Sequence, residues 1–256
     1  MAAFELLGAP RRLPGGEGVA WLVDGVVIKR VIDVAESQWT QTLMARVEPD
    51  AFRIANPVPS IDGQWVVEGW TACRFLPDLR PAAPDWSAVC AAGLRFGDAA
   101  ERVRDGSGDD VLSARTHRWA VADRVAWNEH TVALQGDAAD VFAALAQHVG
   151  VPDSERRFVH ADLTGNVFID ASGTPVILDI SPYLRPREWA AAVVIADAVL
   201  WNGADLDVAS RFIADDAHRD LFARALIFRM IAEQLADHPR HGAQLEPYRA
   251  VLRALT

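Results

Sequence analysis

The stretch from Phe158 to Ile169 constrains the fold of this chain more than any other part of its 256 residues. Its first residues form a short apolar run that predicts a strand, and this strand delivers His160 and Asp162 into a loop. The loop turns through Gly165 and Asn166 into a second apolar run. The sequence therefore predicts a short polar loop held between two strands of a small sheet.

A predicted β-hairpin brings one more carboxylate to the same end of the sheet. Its turn lies at residues 170–173, its second strand at residues 175–178, and that strand ends at Asp179. Two carboxylates and one carboxamide then lie together, and such hard oxygen atoms are the ligands that Mg2+ prefers. Magnesium held by few protein ligands usually shares its shell with substrate phosphates. A further carboxylate beside it can accept the proton of an attacking hydroxyl.

This order of residues resembles the catalytic loop of the aminoglycoside phosphotransferase and choline kinase family, in which a His-x-Asp…Asn loop precedes an apolar strand and a further Asp. The resemblance implies that Asp162 is the catalytic base and that His160 braces the loop. It also implies that Asn166 and Asp179 hold magnesium. Two features depart from the family pattern. Three residues instead of four separate Asp162 from Asn166, and Ile180 follows Asp179 where the family usually has an aromatic residue.

Two β-hairpins are predicted in the first third of the chain. Residues 19–23 and 26–30 flank Asp24-Gly25, a pair that favours a tight turn because both turn positions need a positive φ. A second hairpin is predicted around Glu68-Gly69. Between the two hairpins, the spacing of apolar residues predicts a helix over residues 33–47.

A glycine loop and a strand lysine in this region resemble the nucleotide-binding lobe of kinases. The loop contains Gly16 and Gly18, and glycine lets backbone N–H groups approach phosphates because it has no side chain. The third glycine of the kinase pattern is missing. The resemblance implies that Lys29 contacts the nucleotide phosphates and pairs with a helix glutamate, for which Glu36 is the first candidate and Glu48 the second. An exposed lysine at the end of a strand is the alternative interpretation.

The strand predicted over residues 70–75 ends at Leu76-Pro77 and resembles the hinge that joins the two lobes of a kinase. The resemblance implies that backbone groups of Arg74, Phe75 and Leu76 face the adenine of the nucleotide. A strand that simply terminates at proline is the alternative, and the two interpretations are compatible.

The character of the sequence changes after residue 77, from strands to mainly helices. We therefore predict a nucleotide-binding lobe over residues 1–77 and a helical lobe with the catalytic loop over residues 78–256. The predicted helices of the second lobe cover residues 85–104, 116–129, 137–149, 187–201, 207–213, 219–235 and 246–255. Because Asp197 interrupts the apolar run of one of these helices, we expect it to be paired or hydrogen-bonded inside the lobe.

Composition and charge argue against several classes of protein. The net charge of −10 makes binding to nucleic acid unfavourable, whereas a cationic small substrate would be tolerated. No apolar run approaches the roughly 18–20 residues of a membrane span, and the N-terminus has no signal-peptide pattern. The two cysteines, Cys73 and Cys90, have neither metal-site spacing nor a disulfide pattern, which fits a reducing cytoplasm.

These observations predict an α+β, two-lobed protein-kinase-like fold with a small β-rich N-terminal lobe and a larger helical C-terminal lobe. By resemblance, the chain is an ATP- and magnesium-dependent phosphotransferase that moves the γ-phosphate to a hydroxyl of a small molecule. One alternative is a pseudokinase, a nucleotide-binding or scaffolding protein with little turnover, because the catalytic loop is short and a loop glycine is missing. The second alternative is a metal-dependent hydrolase that uses His160, Asp162 and Asp179, although the other histidines lack ligand spacing.

Overall fold

The computed structural model describes residues 2–13, 20–151, 155–238 and 244–255. Gly16 and Gly18 of the predicted glycine loop lie outside these ranges. A 3-10 helix at Ala2–Phe4 precedes strands β1 (Arg11–Arg12), β2 (Ala20–Val23), β3 (Val26–Arg30), β4 (Arg53–Ile54), β5 (Val66–Val67), β6 (Trp70–Arg74), β7 (Arg80–Pro81), β8 (Arg157–His160), β9 (Val167–Ile169), β10 (Pro175–Ile177) and β11 (Pro182–Arg185). The helices are α1 (Val34–Met44), α2 (Trp86–Val103), α3 (Asp109–Ser113), α4 (Arg118–Ala126), α5 (Asp137–Ala146), α6 (Trp189–Trp201), α7 (Asp207–Phe212), α8 (Asp216–Gln234) and α9 (Glu246–Leu255).

The N-terminal sheet has the strand order β1-β2-β3-β6-β5, and all neighbouring strands in it are antiparallel. Val23 pairs with Val26 across a two-residue turn, in which Asp24 has a φ of 49° and Gly25 a φ of 75°. Glu68-Gly69 forms the same kind of turn between β5 and β6, again with two positive φ angles. Both predicted hairpins are therefore confirmed.

Two smaller sheets hold the predicted catalytic loop. One has the order β4-β10-β9-β7, in which β4 and β10 are parallel, and the other pairs β8 with β11 antiparallel. The prediction that the loop lies between two strands of one sheet is therefore wrong, because β8 pairs with a strand that the sequence pattern did not reveal. The loop instead runs from one sheet to the other, and the amide of Leu178 at the end of β10 donates to the carbonyl of Asn166 at 2.9 Å.

Two apolar cores fill the described part of the molecule. A small core lies against the N-terminal sheet and contains Phe4, Leu6, Val23, Val26, Ile28 and Ala72. The large core lies among the helices, and it also takes in Trp39 and Leu43 of α1 and Phe52 just before β4. Helix α1 therefore packs with the helical part of the chain, and the division into lobes 1–77 and 78–256 stays a prediction.

Helix boundaries follow capping side chains more closely than apolar spacing. Asp33 caps α1 by accepting from the amide of Glu36 at 3.0 Å, as the predicted start implies. Helix α8 begins three residues earlier than predicted, because Asp215 accepts from the amide of His218 at 2.9 Å. Helix α3 lies between the helices predicted over residues 85–104 and 116–129, where no helix was predicted. Across the described ranges, no helix is both long enough and apolar enough to cross a membrane.

Helix α2 approaches the predicted catalytic loop through its smallest residues. A Cβ atom added to Gly93 would lie 2.1 Å from Cδ1 of Leu163, which is a buried loop residue. A Cβ atom added to Gly97 would lie 3.0 Å from the carbonyl oxygen of Phe158 in β8. Glycine at these two positions lets the helix support the loop directly, so the packing of α2 sets the position of the loop.

We expect Gly93→Ala to destabilise the protein. Alanine favours a helix over glycine by about 1 kcal/mol, but inserting a methyl group against buried Leu163 costs about 1–3 kcal/mol. The net loss is measured as a decrease in the free energy of unfolding in urea. The matched control is Gly93→Ala introduced into Leu163→Ala, where the new methyl group enters free space and the loss should disappear. Equal losses in both backgrounds would show that the contact with Leu163 is not the cause.

Candidate active site

His160 ends strand β8 and is fully buried. Its ring packs edge-on against Phe96 of α2, with 6.0 Å between the ring centroids. The Nδ1 atom accepts a hydrogen bond from the amide of Asp162 at 3.1 Å, which places the proton of the neutral ring on Nε2. Burial lowers the pKa of His160 to about 4, although the carboxylates of Asp162 and Asp179 act in the opposite direction. The ring is therefore neutral at physiological pH and fixes the backbone at Asp162.

Asn166 closes the loop across its shortened spacing. Its Nδ2 atom donates to the backbone carbonyl of Asp162 at 2.7 Å, and its amide N–H donates to the carbonyl of Leu163 at 2.9 Å. Gly165 between them has a φ of 81°, a conformation that glycine adopts without steric cost. Because the side-chain nitrogen Nδ2 of Asn166 is used inside the loop, the side-chain oxygen Oδ1 is the atom left to bind a ligand.

Asp162 presents a half-exposed carboxylate whose two oxygen atoms have different surroundings. Its side chain is 45% exposed, and Oδ1 accepts from Nη2 of Arg229 in α8 at 3.0 Å. Its Oδ2 atom lies 3.3 Å from Nδ2 of Asn166, a longer contact. Arg229 was missed from the sequence, and its only signal is a charged residue inside the apolar run of α8.

Asp197 lies on α6 opposite Arg229. It is buried and accepts from Nε and Nη2 of this arginine at 2.7 and 2.6 Å. The prediction that Asp197 is paired inside the helical part of the chain is therefore confirmed.

Asp179 follows β10 and forms an ion pair with Nζ of Lys29 on β3. Its side chain is 60% exposed, and its φ of 46° turns the chain sharply at this point. Partial burial acts to raise the pKa of Asp179, but the ammonium of Lys29 outweighs it and holds the pKa below its usual range. Asp179 is thus an ionised and accessible carboxylate. Among the described residues, no three His, Cys, Asp or Glu side chains are grouped as a metal site.

A cavity is lined in part by the ion pair of Lys29 and Asp179. It is enclosed by the N-terminal sheet, α1 and β10, and its lining includes Val27, Thr40 and Thr71. The hydroxyls of both threonines are buried and have no hydrogen-bond partner among the described residues. A buried hydroxyl without a partner is costly, so these groups are able to bind water or a ligand that enters the cavity.

Glu36 does not pair with Lys29, so this prediction is wrong. Glu36 lies in the first turn of α1 and lines the same cavity, but its carboxylate accepts from Arg115 at 2.9 Å and contacts Nε2 of His117 at 3.2 Å. Burial acts to raise the pKa of Glu36, but these two partners outweigh it and lower the pKa. The buried guanidinium satisfies Glu36 and leaves Lys29 to Asp179. Glu48, the second candidate, lies beyond the end of α1.

The predicted hinge follows β6 and uses part of its backbone within the protein. The amide of Arg74 donates to the carbonyl of Asn56 at 2.8 Å, and the amide of Phe75 donates to the carbonyl of Gly25 at 3.0 Å. These two amides are therefore used within the protein, and the prediction that backbone groups of Arg74, Phe75 and Leu76 face a base stays a prediction. The carbonyl groups and the backbone of Leu76 remain the candidate contacts for a base.

Comparison with known proteins was made for both sequence and structure. No protein-family model matches the sequence, and no curated protein matches it. Aminoglycoside phosphotransferase APH(4)-Ia is structurally similar, with a TM-score of 0.60 and 15% identity over 98% of this chain and 95% of that chain. A thermostable mutant of APH(4)-Ia, solved with AMP-PNP and hygromycin B, has a TM-score of 0.59 and 15% identity over 96% of this chain and 93% of that one. Choline kinase LicA from Streptococcus pneumoniae has a TM-score of 0.53 and 12% identity, and the match covers 98% of this chain and 93% of LicA.

These likenesses define the fold of the chain. It is the α+β, two-lobed protein-kinase-like fold of small-molecule phosphotransferases, as the sequence predicted. The resemblance drawn from the catalytic loop is confirmed at the level of the fold. At 12% and 15% identity, the roles of individual residues rest on the geometry described above.

We expect His160 to make the protein less stable in acid. Its pKa falls from 6.5 in the unfolded chain to about 4 in the folded protein, so the unfolded state binds the proton first as the pH decreases. Stability is therefore complete above pH 6.5 and is lost progressively down to about pH 4, by an amount on the order of 3 kcal/mol. His160→Gln keeps an acceptor for the amide of Asp162 but does not titrate.

The measurement is the free energy of unfolding in urea between pH 7.5 and 4 for both proteins. The variant should be less stable at neutral pH and should show a shallower decrease below pH 6.5. Parallel curves would mean that His160 keeps its ordinary pKa in the folded protein.

Proposed function

We propose that the chain is a small-molecule kinase that transfers the γ-phosphate of ATP to a hydroxyl group, with magnesium as cofactor. The observation that supports this most is the pair of accessible carboxylates of Asp162 and Asp179. Asp162 lies in the loop after β8, and Asp179 follows Leu178, whose amide is hydrogen-bonded to Asn166 of that loop. Phosphoryl transfer requires mainly positioning and charge neutralisation. The two carboxylates would position the acceptor and a metal ion, while Lys29 and that ion would neutralise charge.

The nucleotide site is proposed at the cavity between the N-terminal sheet and β10. Lys29 lines this cavity with a side chain that is 28% exposed, and within the described ranges its ammonium pairs with the accessible carboxylate of Asp179. A triphosphate entering here offers Lys29 several anionic oxygen atoms in place of one carboxylate. The carbonyl groups at the hinge would face the base.

The donor set fits magnesium. Asp179 offers an ionised carboxylate, and Asn166 offers the amide oxygen that its loop contacts leave available. Both are hard oxygen ligands, and two protein ligands leave room for phosphate oxygens and water in the shell of the ion. When bound, magnesium would neutralise charge on the phosphates. Lys29 would then be released from Asp179 to contact the nucleotide.

Asp162 is proposed as the group that receives the acceptor proton. It is exposed enough to contact a bound hydroxyl, and its backbone is fixed from both sides by His160 and Asn166. The reaction forms a bond between the acceptor oxygen and the γ-phosphorus and breaks the bond from that phosphorus to the bridging oxygen, which leaves with ADP. The hydroxyl proton passes to Asp162. The net charge of −10 is compatible with a cationic acceptor.

ATP with magnesium is expected to raise the thermal unfolding midpoint of the wild type. Ligand at about 100 times its Kd stabilises the folded state by about 2.7 kcal/mol, which corresponds to several degrees for a chain of this size. Asp179→Asn keeps the shape and tolerates the positive φ but removes the charge, so the shift should be lost. ATP with a chelator in place of magnesium should give a smaller shift for the wild type.

The matched control is Glu68→Gln, which removes one exposed carboxylate from another residue with positive φ, in the turn between β5 and β6. This variant should keep the full shift. If the wild type shows no shift, nucleotide binding at this site is refuted. If Asp179→Asn shifts as much as the wild type, Asp179 is not a ligand of the metal nucleotide.

Asp162→Asn is expected to abolish turnover while preserving nucleotide binding. ADP release is measured with amino alcohols and aminoglycosides as acceptors, and loss of the proton acceptor should lower kcat by about a hundredfold to ten thousandfold. The thermal shift with ATP and magnesium should remain. Nucleotide binding without ADP release from the wild type, with any of these acceptors or with water, would favour a pseudokinase.

A further inference from the structure

The guanidinium of Arg229 lies directly behind the carboxylate of Asp162. Arg229 belongs to α8, is 67 residues away from Asp162 in the sequence, and has a side chain only 3% exposed. The contact of 3.0 Å between this buried cation and the half-exposed carboxylate links the helical core to the candidate active site. Among the described residues, Arg229 is the charged group that contacts Oδ1 of Asp162.

Asp197 fixes the orientation of this guanidinium. Its two oxygen atoms accept from Nε and Nη2 of Arg229 at 2.7 and 2.6 Å, so the planar group is held along one edge. The same Nη2 atom then reaches Asp162. Aromatic rings complete the enclosure, with Phe228 and Trp119 at 5.1 and 5.5 Å from the guanidinium carbon. The guanidinium therefore has little freedom to move, and its hydrogen bond to Asp162 restricts the orientation of that carboxylate.

The two oxygen atoms of Asp162 are therefore not equivalent. Oδ1 is bound to the charged group of Arg229 at 3.0 Å, while Oδ2 has only the longer contact of 3.3 Å with the amide of Asn166. A charge-assisted hydrogen bond is the stronger of the two. The oxygen that stays available for an acceptor hydroxyl is thus Oδ2.

We propose that Arg229 is a positioning residue, which holds Oδ1 of Asp162 so that Oδ2 receives the proton of the acceptor hydroxyl. This inference rests on the proposed function and deepens it. In the transfer, the acceptor oxygen bonds to the γ-phosphorus, the bond to the bridging oxygen of ADP breaks, and the hydroxyl proton moves to Oδ2. Arg229 exchanges no proton and touches no substrate.

A purely stabilising role for Arg229 does not account for its contact with Asp162. The pair of Arg229 and Asp197 would stabilise the helices equally well if it stopped there, and an apolar pair of similar size often does so better. The third contact, to the half-exposed carboxylate of Asp162, adds nothing to the packing of α6 against α8. It does add a fixed direction to the carboxylate, and misplacement of a catalytic group by about 1 Å can cost about a hundredfold in rate.

The test uses water as the acceptor. ATP hydrolysis is expected to depend on the same carboxylate, and it can be measured before the natural acceptor is known. Arg229→Lys keeps the charge beside Asp197 but cannot bind two carboxylates along a planar edge. Arg229→Met combined with Asp197→Leu removes both charges together, so no buried charge is left alone. The measurements are kcat for release of inorganic phosphate, the Kd for ATP with magnesium, and the thermal midpoint.

The matched control is Arg224→Lys on the same helix. Arg224 is also fully buried and is paired with Asp220 at 2.7 Å, but its other hydrogen bonds go to the carbonyls of Ala126 and Gly150 and not to Asp162. This control should lose stability to a similar degree and keep its kcat. Both changes at Arg229 should lower kcat at least tenfold and leave the Kd for the nucleotide within about twofold.

A double-mutant cycle separates positioning from general damage. If Arg229 acts through Asp162, adding Arg229→Lys to Asp162→Asn should cause no further decrease in kcat beyond about twofold. Multiplied losses, or a kcat for Arg229→Lys equal to that of the wild type, would overturn the proposal for Arg229 while Asp162 keeps its role. If Asp162→Asn hydrolyses ATP as fast as the wild type, the proposed function itself fails, and the proposal for Arg229 fails with it.

Discussion

The buried ion pair between Arg229 and Asp197 is the interaction on which the candidate site depends. It joins α6 to α8 and extends to Asp162, so the two most buried helices determine where the loop carboxylate lies. Removing two charges from water costs several kcal/mol for each ion, and the bidentate geometry offsets that cost only in part. Burial acts to lower the pKa of Arg229, yet the carboxylates of Asp197 and Asp162 overcome it and raise the pKa. The cation is therefore permanent, and its main effect is directional.

The ion pair between Lys29 and Asp179 has the opposite character. Its side chains are 28% and 60% exposed, and an ion pair in such contact with solvent contributes about 0–1 kcal/mol. It can therefore be exchanged for a charged ligand at little cost, whereas Glu36 and buried Arg115 form a pair that cannot. Buried ion pairs thus hold the helices and Asp162 in place, while an exchangeable pair lines the cavity. This difference in burial explains why Glu36 stays bound to Arg115 while Lys29 remains available to a charged ligand.

Sequence reasoning identified the parts of the fold that depend on local chemistry. Asp24-Gly25 specifies its turn because of the φ angles that the turn requires, and the order of His160, Asp162 and Asn166 marks the loop. Sequence reasoning failed where a residue's partner is distant in the sequence. Arg115 lies 79 residues from Glu36, and no local pattern distinguishes it from other arginines. Strand β11 was missed for the same reason, since a short run beginning with proline becomes a strand only when β8 lies beside it.

The short spacing of the predicted catalytic loop is explained by this division between local and distant contacts. With three residues between Asp162 and Asn166, the asparagine side chain closes the loop onto the backbone of Asp162, and Gly165 adopts the positive φ that this closure needs. So short a loop has few side chains with which to orient its own carboxylate. The orientation of Asp162 therefore depends on residues outside the loop. His160 accepts a hydrogen bond from the backbone amide of Asp162, and Arg229 donates one to the carboxylate oxygen Oδ1. A departure from the family spacing is in this way compatible with an ordered carboxylate, because the helical core supplies the contacts that a longer loop could supply itself.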